Sequence, residues 1–323
     1  MVWIYFIATA AVIIFAGAKL SVLAEKLAGQ LNISSSTVGL LLVSVITSLP
    51  ELATSLSAAV QVGQPGLAAG NTIGSDLFNL MIIALCDTIF LKKGILRQAG
   101  HHTASLRRYL LMISMILLTL TLPNQVSVAG MHFNAGSLVI IALYLVLFFR
   151  THHADTGHAD AASADRSQLP QTLLKFCAAA AAIVLAGMLL AQLGDQIAKE
   201  TGLEQSFVGT LFLALATSLP ELTVSITAVR IGAFDLMVGN VVGSNMFNVF
   251  VTALSDVAYT KEAFHIPENI SPSLLFIGGC TITMTLISLI AVRQKRKAKG
   301  LAWESVLILL LYVTGLCAMY FTG

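Results

Sequence analysis

The chain has 323 residues, of which 57% are hydrophobic and only 11% are charged, and its mean hydropathy is +0.86. A soluble domain carries about 25% charged residues, so this composition excludes an ordinary soluble protein and indicates a polytopic membrane protein. The formal net charge of +2 is too small to say much about partners, so the distribution of charge matters more than its sum.

Ten apolar segments predict ten membrane-spanning helices and an all-α fold. Each segment is about 20 residues long, which is the length that crosses a ~30 Å hydrocarbon core. The predicted helices cover 3–26, 36–61, 67–91, 107–123, 134–150, 171–198, 206–230, 234–258, 271–293 and 302–322. The first segment lacks the basic residues that precede the apolar part of a signal peptide, so it is predicted to be a membrane helix.

The basic residues predict the orientation of these helices. With ten helices, fifteen lysines and arginines fall on one side of the membrane, whereas only Lys199 and Lys261 fall on the other. Cytoplasmic loops carry the excess of basic residues, so the first side is predicted to be cytoplasmic and both termini to lie outside. The expected location is the plasma (inner) membrane, where the partners include membrane lipids.

Two motifs occur twice in the chain. VGLLLVSVITSLPELATS (38–55) matches VGTLFLALATSLPELTVS (208–225) at ten of 18 positions. GNTIGSDLFNLMIIALCD (70–87) matches GNVVGSNMFNVFVTALSD (239–256) at nine of 18 positions. The chain is therefore predicted to consist of two related halves.

The predicted halves are a five-helix repeat at 1–150 and a second five-helix repeat at 171–323, joined by a short cytoplasmic linker at 151–170. Because five is an odd number, the second half must enter the membrane from the opposite side. This inverted-topology architecture is typical of secondary transporters, which place the substrate near the midplane between the halves.

Each half places one carboxylate inside an apolar helix. Glu51 and Glu221 lie near the middle of the second and seventh predicted helices, with no basic residue at matching depth. A charge at the bilayer centre costs about 2.5–3.5 kcal/mol on insertion scales, so both residues are functional candidates. Two carboxylates brought together would repel each other, and a hard divalent cation with oxygen ligands would resolve that conflict.

The residues around each glutamate predict a helix break. Ser48, Pro50 and Glu51 have the order of a Ser-x-x-Glu capping box, which marks a helix start. Pro50 and its counterpart in the second half cannot donate a backbone hydrogen bond, so the carbonyls of Ile46 and Ala216 lose their helical partners. These carbonyls could face inward as neutral ligands, because unwound backbone is tolerated at this depth where it lines a cavity.

The third and eighth predicted helices carry matching polar strips. Their polar residues recur every four positions on one face: Asn71, Ser75 and Asn79 in the first half, and Asn240, Ser244 and Asn248 in the second. Glycines at G-x-x-x-G spacing accompany each strip and predict close helix packing. The strips could line a site, or they could only join neighbouring helices by hydrogen bonds.

Three aspartates on these helices have less certain roles. Asp76 lies at the flank of its strip and could be a third ionic ligand, a proton site or a contact with water in an access path. Asp87 and Asp256 match between the halves but fall near predicted helix ends, where an exposed capping role is expected.

The two TSLPEL segments, each followed by GN..GS[DN].FN, resemble the alpha repeats of the calcium/cation antiporter superfamily, here at 38–87 and 208–256. The Ser-Leu-Pro-Glu form resembles the sodium/calcium exchangers more than the proton/calcium branch. The resemblance implies that Glu51 and Glu221 bind calcium with backbone carbonyls of Thr47 and Thr217. It further implies that sodium sites are lined by Ser48, Ser218, Ser75, Ser244, Asn79 and Asn248.

The chain departs from the superfamily pattern at two positions. Many prokaryotic and potassium-dependent relatives carry an Asp where this chain has Asn248, and the usual Gly-Ser-Asn becomes Gly-Ser-Asp at Asp76. These departures leave the coupling ion and the stoichiometry open. The linker of about twenty residues is too short for the calcium-sensing insert of the animal exchangers.

The sequence therefore predicts an electrogenic antiporter that exchanges Na⁺ for Ca²⁺ by alternating access, with no enzymatic activity and no cofactor. Its partners would be the transported ions and lipids, without nucleic acid or an obligatory protein partner. Three alternatives remain: a proton-coupled antiporter for calcium or another divalent cation, a passive cation channel, and, with least support, a membrane hydrolase using Glu51 and Glu221 as an acid/base pair.

Overall fold

The protein is described here by a computed structural model that covers residues 1–90, 95, 102–122, 124–128, 130–154, 166–201, 215–266, 268, 270–294 and 302–322. Most of these residues are helical. In chain order the helices are α1 (Val2–Leu31), α2 (Ser35–Thr47), α3 (Leu49–Val62), α4 (Pro65–Ile89), α5 (Thr103–Thr121), α6 (Ala135–Ala154), α7 (Leu169–Thr201), α8 (Leu219–Ile231), α9 (Phe234–Ala258), α10 (Ser273–Arg293) and α11 (Trp303–Thr322).

The helices confirm a multi-pass membrane protein. Among the described residues, six helices are long and apolar enough to cross a membrane: α1, α4, α5, α7, α9 and α10. The bent pair α2 and α3 forms a seventh span when it is taken together, and α6 and α11 contain shorter apolar stretches. Part of the predicted seventh helix, 206–214, lies outside the described residues, so ten crossings and the placement of the termini stay predictions.

A short β-hairpin joins α5 to α6, and it lies almost entirely in the connection between the predicted helices 107–123 and 134–150. Strands β1 (Gln125–Val128) and β2 (Met131–Asn134) pair antiparallel, and Gly130 takes a left-handed backbone conformation in the turn, with φ 81°. The backbone N–H of His132 donates to the carbonyl of Thr260 after α9 (3.3 Å). The hairpin therefore packs on a loop of the second half.

Two helices form the centre of the bundle and two lie at its outside. α4 and α9 pack against each other, and α9 is buried along nearly its whole length. α1 and α7 pack along one another and leave most of their apolar surface exposed, including Phe15 and Leu185. Such exposed apolar faces are stable against lipid tails, which agrees with a membrane-embedded chain.

Glycines allow α2 to approach α9 closely. A β-carbon at Gly239 would lie 2.6 Å from the carbonyl oxygen of Ser36, and one at Gly243 would lie 2.5 Å from that of Leu40. The predicted G-x-x-x-G packing is thus confirmed in the second half. Gly70 and Gly74 have no such neighbour among the described residues. The segment that corresponds to α2 in the second half lies largely within 202–214, outside the described part.

The expectation of exposed capping roles for Asp87 and Asp256 is wrong, because both side chains are buried. Asp256 accepts from the backbone N–H of Phe264 (2.7 Å) and from the hydroxyl of Ser137 (2.6 Å), with further bonds from Asn134. After α9, the backbone at Phe264 returns to the aspartate, so protein donors bond its carboxylate in place of water.

Asp87 repeats this arrangement at the end of α4. It accepts from the backbone N–H of Ile95 (2.6 Å) and from the hydroxyl of Ser305 (2.7 Å). Ser305 is in the first turn of α11, and Ser137 is in the first turn of α6. Each aspartate therefore binds the start of the last helix of the opposite half. We call the contacts of Asp87 and those of Asp256 the two end brackets.

Candidate ion-binding site

The chain bends at Ser48 and again at Ser218, at the same point of each half. Their backbone angles are nearly identical, with φ −94° and ψ 8° at Ser48 and φ −89° and ψ 8° at Ser218. α2 and α3 meet at an angle of 41°, as Pro50 predicts. Glu51 and Glu221 lie in the first turns of α3 and α8, near the positive ends of those helix dipoles.

The serine hydroxyls at the bends cross to the opposite half. Oγ of Ser48 donates to Oε1 of Glu221 (2.8 Å), and Oγ of Ser218 donates to Oε1 of Glu51 (3.2 Å). Neither serine makes a side-chain bond to its own helix start, so the predicted capping box does not form. All four side chains are at most 1% exposed. The bends therefore meet, and each half orients the glutamate of the other.

The threonines that precede the bends are buried beside the same carboxylates. Oγ1 of Thr47 donates to the carbonyl of Ser44 and to Oδ1 of Asn240, both at 3.2 Å, and lies 3.4 Å from Oγ of Ser244. The hydroxyl of Thr217 makes a side-chain hydrogen bond to Glu51. Hydroxyl oxygens of both threonines therefore lie in the same buried region as the glutamates.

The polar strips of α4 and α9 lie against the two bends, and their outer ends bond to the helices that carry the glutamates. Nδ2 of Asn71 donates to Oγ of Ser55 (2.9 Å), and Nδ2 of Asn240 donates to Oγ of Ser225 (3.4 Å). These two contacts occupy matching positions of the two halves. The outermost asparagines therefore join helices, as the alternative interpretation of the strips expected.

The serines in the middle of the strips contact a glutamate or the serine that bonds one. Oγ of Ser244 lies 3.5 Å from Oε1 of Glu221, and Oγ of Ser75 lies 3.4 Å from Oγ of Ser218, which contacts Glu51. Both strip serines are fully buried. Ser75 and Ser244 therefore belong to the same cluster of oxygens as the carboxylates.

Several buried oxygens of this region accept no hydrogen bond from any described residue. They are Oε2 of Glu51, Oε2 of Glu221, and Oδ1 of Asn79, Asn245 and Asn248. A buried acceptor without a donor costs about 1–3 kcal/mol, so such atoms are uncommon in folded proteins. The lone pairs of these oxygens are therefore available to coordinate a cation.

The chemistry of these oxygens indicates which cations fit. No group of three or more His, Cys, Asp and Glu side chains is found within the described part of the chain. Two carboxylates surrounded by hydroxyl and amide oxygens suit hard cations, whereas transition metals favour nitrogen and sulfur ligands. Glu51 and Glu221 also form no ion pair with the described basic residues, so a bound cation would be the counter-charge.

Asp76 is also fully buried, but both of its oxygens are bonded. The hydroxyl of Tyr109 donates to Oδ2 (2.9 Å), and Nδ2 of Asn248 donates to Oδ1 (3.0 Å). Nδ2 of Asn245 donates to the backbone carbonyl of Asp76 (3.1 Å). Asp76 therefore contacts a strip residue and lies beside the cluster without a free oxygen of its own.

All of the predicted site residues are buried, and hydrogen bonds connect most of them in one region between the halves. Asn79 has no partner described for its amide oxygen, although it lies one turn beyond Ser75 on α4. Sequence reasoning missed Tyr109, which is a single aromatic residue in an apolar helix and belongs to no repeat. It passed over Asn245, although this residue aligns with Asp76.

Helix interruptions that meet inside a multi-pass helical bundle are typical of secondary membrane transporters. The chain belongs to the family described as sodium/calcium exchanger protein, whose model matches residues 1–151 and 172–321.

The chain is also similar to individual relatives along most of its length. The sodium/calcium exchanger MaX1 of Methanosarcina acetivorans is 25% identical, with 92% of each chain covered. The inner membrane protein YrbG of Escherichia coli is 27% identical, with 74% of each chain covered. A solved structure of the sodium-calcium exchanger NCX_Mj, soaked with Na⁺ and Sr²⁺, superposes with a TM-score of 0.74 at 21% identity, covering 98% of this chain and 99% of that one. This last likeness shows that the two share a fold.

Proposed function

We propose that the protein is a secondary active antiporter that exchanges Na⁺ for Ca²⁺ across the plasma (inner) membrane by alternating access. The observation that carries the proposal is the pair of buried glutamates, each with one oxygen that accepts no hydrogen bond from a described residue. Membership of the sodium/calcium exchanger family and the name of MaX1 support the choice of ions.

In the proposed site, Ca²⁺ binds between Glu51 and Glu221. A single divalent cation balances two carboxylates, whose mutual repulsion is strong where water is excluded. The hydroxyls of Ser48 and Ser218 already occupy one oxygen of each carboxylate, which leaves the second oxygen for the cation.

Sodium would use the neutral oxygens around the same carboxylates. The proposed ligands are Thr47, Thr217, Ser48, Ser218, Ser75, Ser244, Asn79 and Asn248, with Asp76 beside them. Since the two ions share the carboxylates, Na⁺ and Ca²⁺ exclude one another from the site. Mutual exclusion, together with access from one side at a time, couples their opposite movements.

We further propose that the halves at 1–150 and 171–323 are related by an inverted repeat of five helices each, with the linker at 151–170 in the cytoplasm and both termini outside. Reciprocal contacts support this proposal: Ser48 binds Glu221 as Ser218 binds Glu51, and the end brackets pair in the same crossed manner. A cysteine at Thr156 should resist an impermeant maleimide in right-side-out vesicles of a cysteine-free background, whereas one at Lys261 should react.

The test of exchange uses proteoliposomes loaded with Na⁺ and diluted into sodium-free buffer with radiolabelled Ca²⁺. An outward Na⁺ gradient should drive Ca²⁺ accumulation, and a sodium ionophore should abolish it. Glu51→Gln and Glu221→Gln should remove uptake, whereas the matched substitution Glu262→Gln, in an exposed loop, should not.

Other outcomes identify the alternatives. Sodium-independent uptake driven by a pH gradient contradicts sodium coupling and favours a proton-coupled antiporter. Calcium flux without a counter-ion, with conductive currents in planar bilayers, contradicts antiport and favours a channel.

A further inference from the structure

Asp76 has a different relation to the proposed site from that of the two glutamates. It is 0% exposed, and its two oxygens are occupied by Tyr109 from α5 and Asn248 from α9. Each oxygen of Asp76 therefore has a protein donor, whereas each glutamate keeps one oxygen without a donor from the described residues. The contact of Asp76 with Asn248 nevertheless connects it to the site.

The contact determines which way the Asn248 amide faces. An ionised carboxylate only accepts hydrogen bonds, whereas an amide has one donating side and one accepting side. If the amide were reversed, Oδ1 of Asn248 would face Oδ1 of Asp76 and an attraction would become a repulsion. Asp76 therefore holds Asn248 with Nδ2 toward itself and Oδ1 turned away.

The face of α9 that carries Asn248 also carries a contact to the proposed site. Asn248 is one helical turn from Ser244 on α9, so the two share a face. Oγ of Ser244 lies 3.5 Å from Oε1 of Glu221. Oδ1 of Asn248 is buried and accepts no hydrogen bond from any described residue, as expected of an oxygen kept for a ligand.

The pair of positions that matches Asp76 and Asn248 in the repeat does not combine a carboxylate with an amide. Asn79 is the counterpart of Asn248, and Asn245 is the counterpart of Asp76 in the repeat. An amide at position 245 can donate as well as accept, so it cannot impose one orientation on a neighbouring amide. Of the two innermost asparagines, only Asn248 therefore bonds a carboxylate among the described residues, and that carboxylate comes from the other half.

We propose that Asp76 is a positioning residue that keeps the amide oxygen of Asn248 directed at the bound cation, and that Tyr109 holds Asp76 in place. The inference rests on the proposed function, because it takes Asn248 as a ligand. It assigns Asp76 a role in the affinity of the site without direct contact with the ion.

A double-mutant cycle separates positioning from direct ligation. Purified full-length protein is titrated with radiolabelled Ca²⁺ at equilibrium, and Asp76→Asn, Asn248→Ala and the double variant are compared with the wild type. We expect each single variant to raise the Kd for Ca²⁺ about 10-fold, and the double variant to stay within about twofold of Asn248→Ala. Without the amide there is nothing left for Asp76 to orient.

A milder variant covers the case in which Asp76→Asn does not fold. Tyr109→Phe removes only the hydroxyl that bonds Asp76, and it should raise the Kd about threefold, with no further increase in the Asn248→Ala background. Tyr144→Phe is the matched control, because Tyr144 stacks on Phe250 among other aromatic rings of α9 and contacts no proposed ligand; its Kd should equal that of the wild type.

The possible results are distinct. Effects of Asp76 and Asn248 that multiply in the double variant would overturn the positioning role while leaving calcium exchange intact. A Kd unchanged in both Asp76→Asn and Tyr109→Phe would overturn it as well. Folded wild-type protein that binds no Ca²⁺ would instead contradict the proposed function and, with it, the basis of the inference.

Discussion

The chain buries two symmetric pairs of carboxylates, and they differ in how completely their oxygens are bonded. Glu51 and Glu221, at the bends, each keep one oxygen without a donor from the described residues. Asp87 and Asp256, in the end brackets, have both oxygens bonded by backbone N–H groups and serine hydroxyls. Burial and duplication are common to both pairs. Free acceptor capacity is therefore the property that marks the proposed cation site.

The comparison also explains why both pairs cross between the halves. A fully bonded carboxylate joins two helices, and removing it leaves buried donors without a partner. A carboxylate with a free oxygen is oriented by its neighbour but still needs a ligand. The end brackets would then fix the position of one half against the other. The glutamates would bind the ion.

The largest effect is expected from Glu51→Gln and Glu221→Gln. Each removes a unit charge from a water-excluded site, so the Kd for Ca²⁺ should rise by more than about 100-fold. The ion-free protein should be no less stable, because the repulsion between the glutamates is gone. Calcium titration and thermal unfolding without Ca²⁺ check both statements. Strong destabilisation with nearly normal binding would place these glutamates with the aspartates as structural groups.

Asp256→Ala and Asp87→Ala should show the opposite behaviour. Each leaves backbone and serine donors buried without an acceptor, which should lower the free energy of unfolding by about 2–4 kcal/mol. Asp256→Ala should be at the upper end of that range, because Asn134 donates to it as well. Thermal unfolding in detergent measures the loss. A change of more than about threefold in the Kd for Ca²⁺ of the folded variants would break the distinction between the two pairs.

Ser48→Ala and Ser218→Ala sharpen the comparison at the bends. Each removes the hydroxyl that orients the glutamate of the opposite half, at a cost of about 1 kcal/mol, so the Kd for Ca²⁺ should rise about fivefold. The shorter bond belongs to Ser48, at 2.8 Å against 3.2 Å for Ser218, so Ser48→Ala should have the larger effect. The same titration measures it. Unchanged affinity in both variants would show that the crossing bonds do not orient the ligands.

The smallest effect is expected from Ser137→Ala and Ser305→Ala. Each removes one donor from an end bracket and leaves the backbone N–H bond of Phe264 or Ile95 in place. The free energy of unfolding should fall by about 1 kcal/mol with no change in the Kd for Ca²⁺. Thermal unfolding is again the measurement. If the free energy of unfolding fell as much as in the matching Asp→Ala variant, the serine bond alone would account for the stabilising effect of that end bracket.

Sequence patterns predicted the local features well. The Pro in each TSLPEL segment predicts a break, and the structure bends at Ser48 and takes the same backbone angles at Ser218. The four-residue period of the polar strips predicts one face turned toward the glutamates, and Ser244 contacts Glu221 while Ser75 contacts Ser218, the partner of Glu51. Such features depend on neighbours within one or two helical turns, which a repeated motif displays directly.

Partners far apart in the chain were predicted less well. Ser48 has the local signature of a capping box, yet its hydroxyl bonds a carboxylate 173 residues away. Asp87 and Asp256 are near helix ends, which favours exposure, but both are buried and bond serines of distant helices. Tyr109 has no pattern around it that distinguishes it from any other aromatic residue in a membrane helix. In each case tertiary contacts override the local preference.

The crossing of Ser48 to Glu221 and of Ser218 to Glu51 bears on the origin of the chain. Neither half contains both members of a serine–glutamate pair, so a five-helix half alone would leave its glutamate without the donor that orients it. Under the proposed inverted topology, a single ancestral half could complete the site only by pairing with a second copy inserted in the opposite direction. Fusion of two such copies through the linker would make that pairing permanent and would let the copies differ at single positions, such as Asp76 and Asn245.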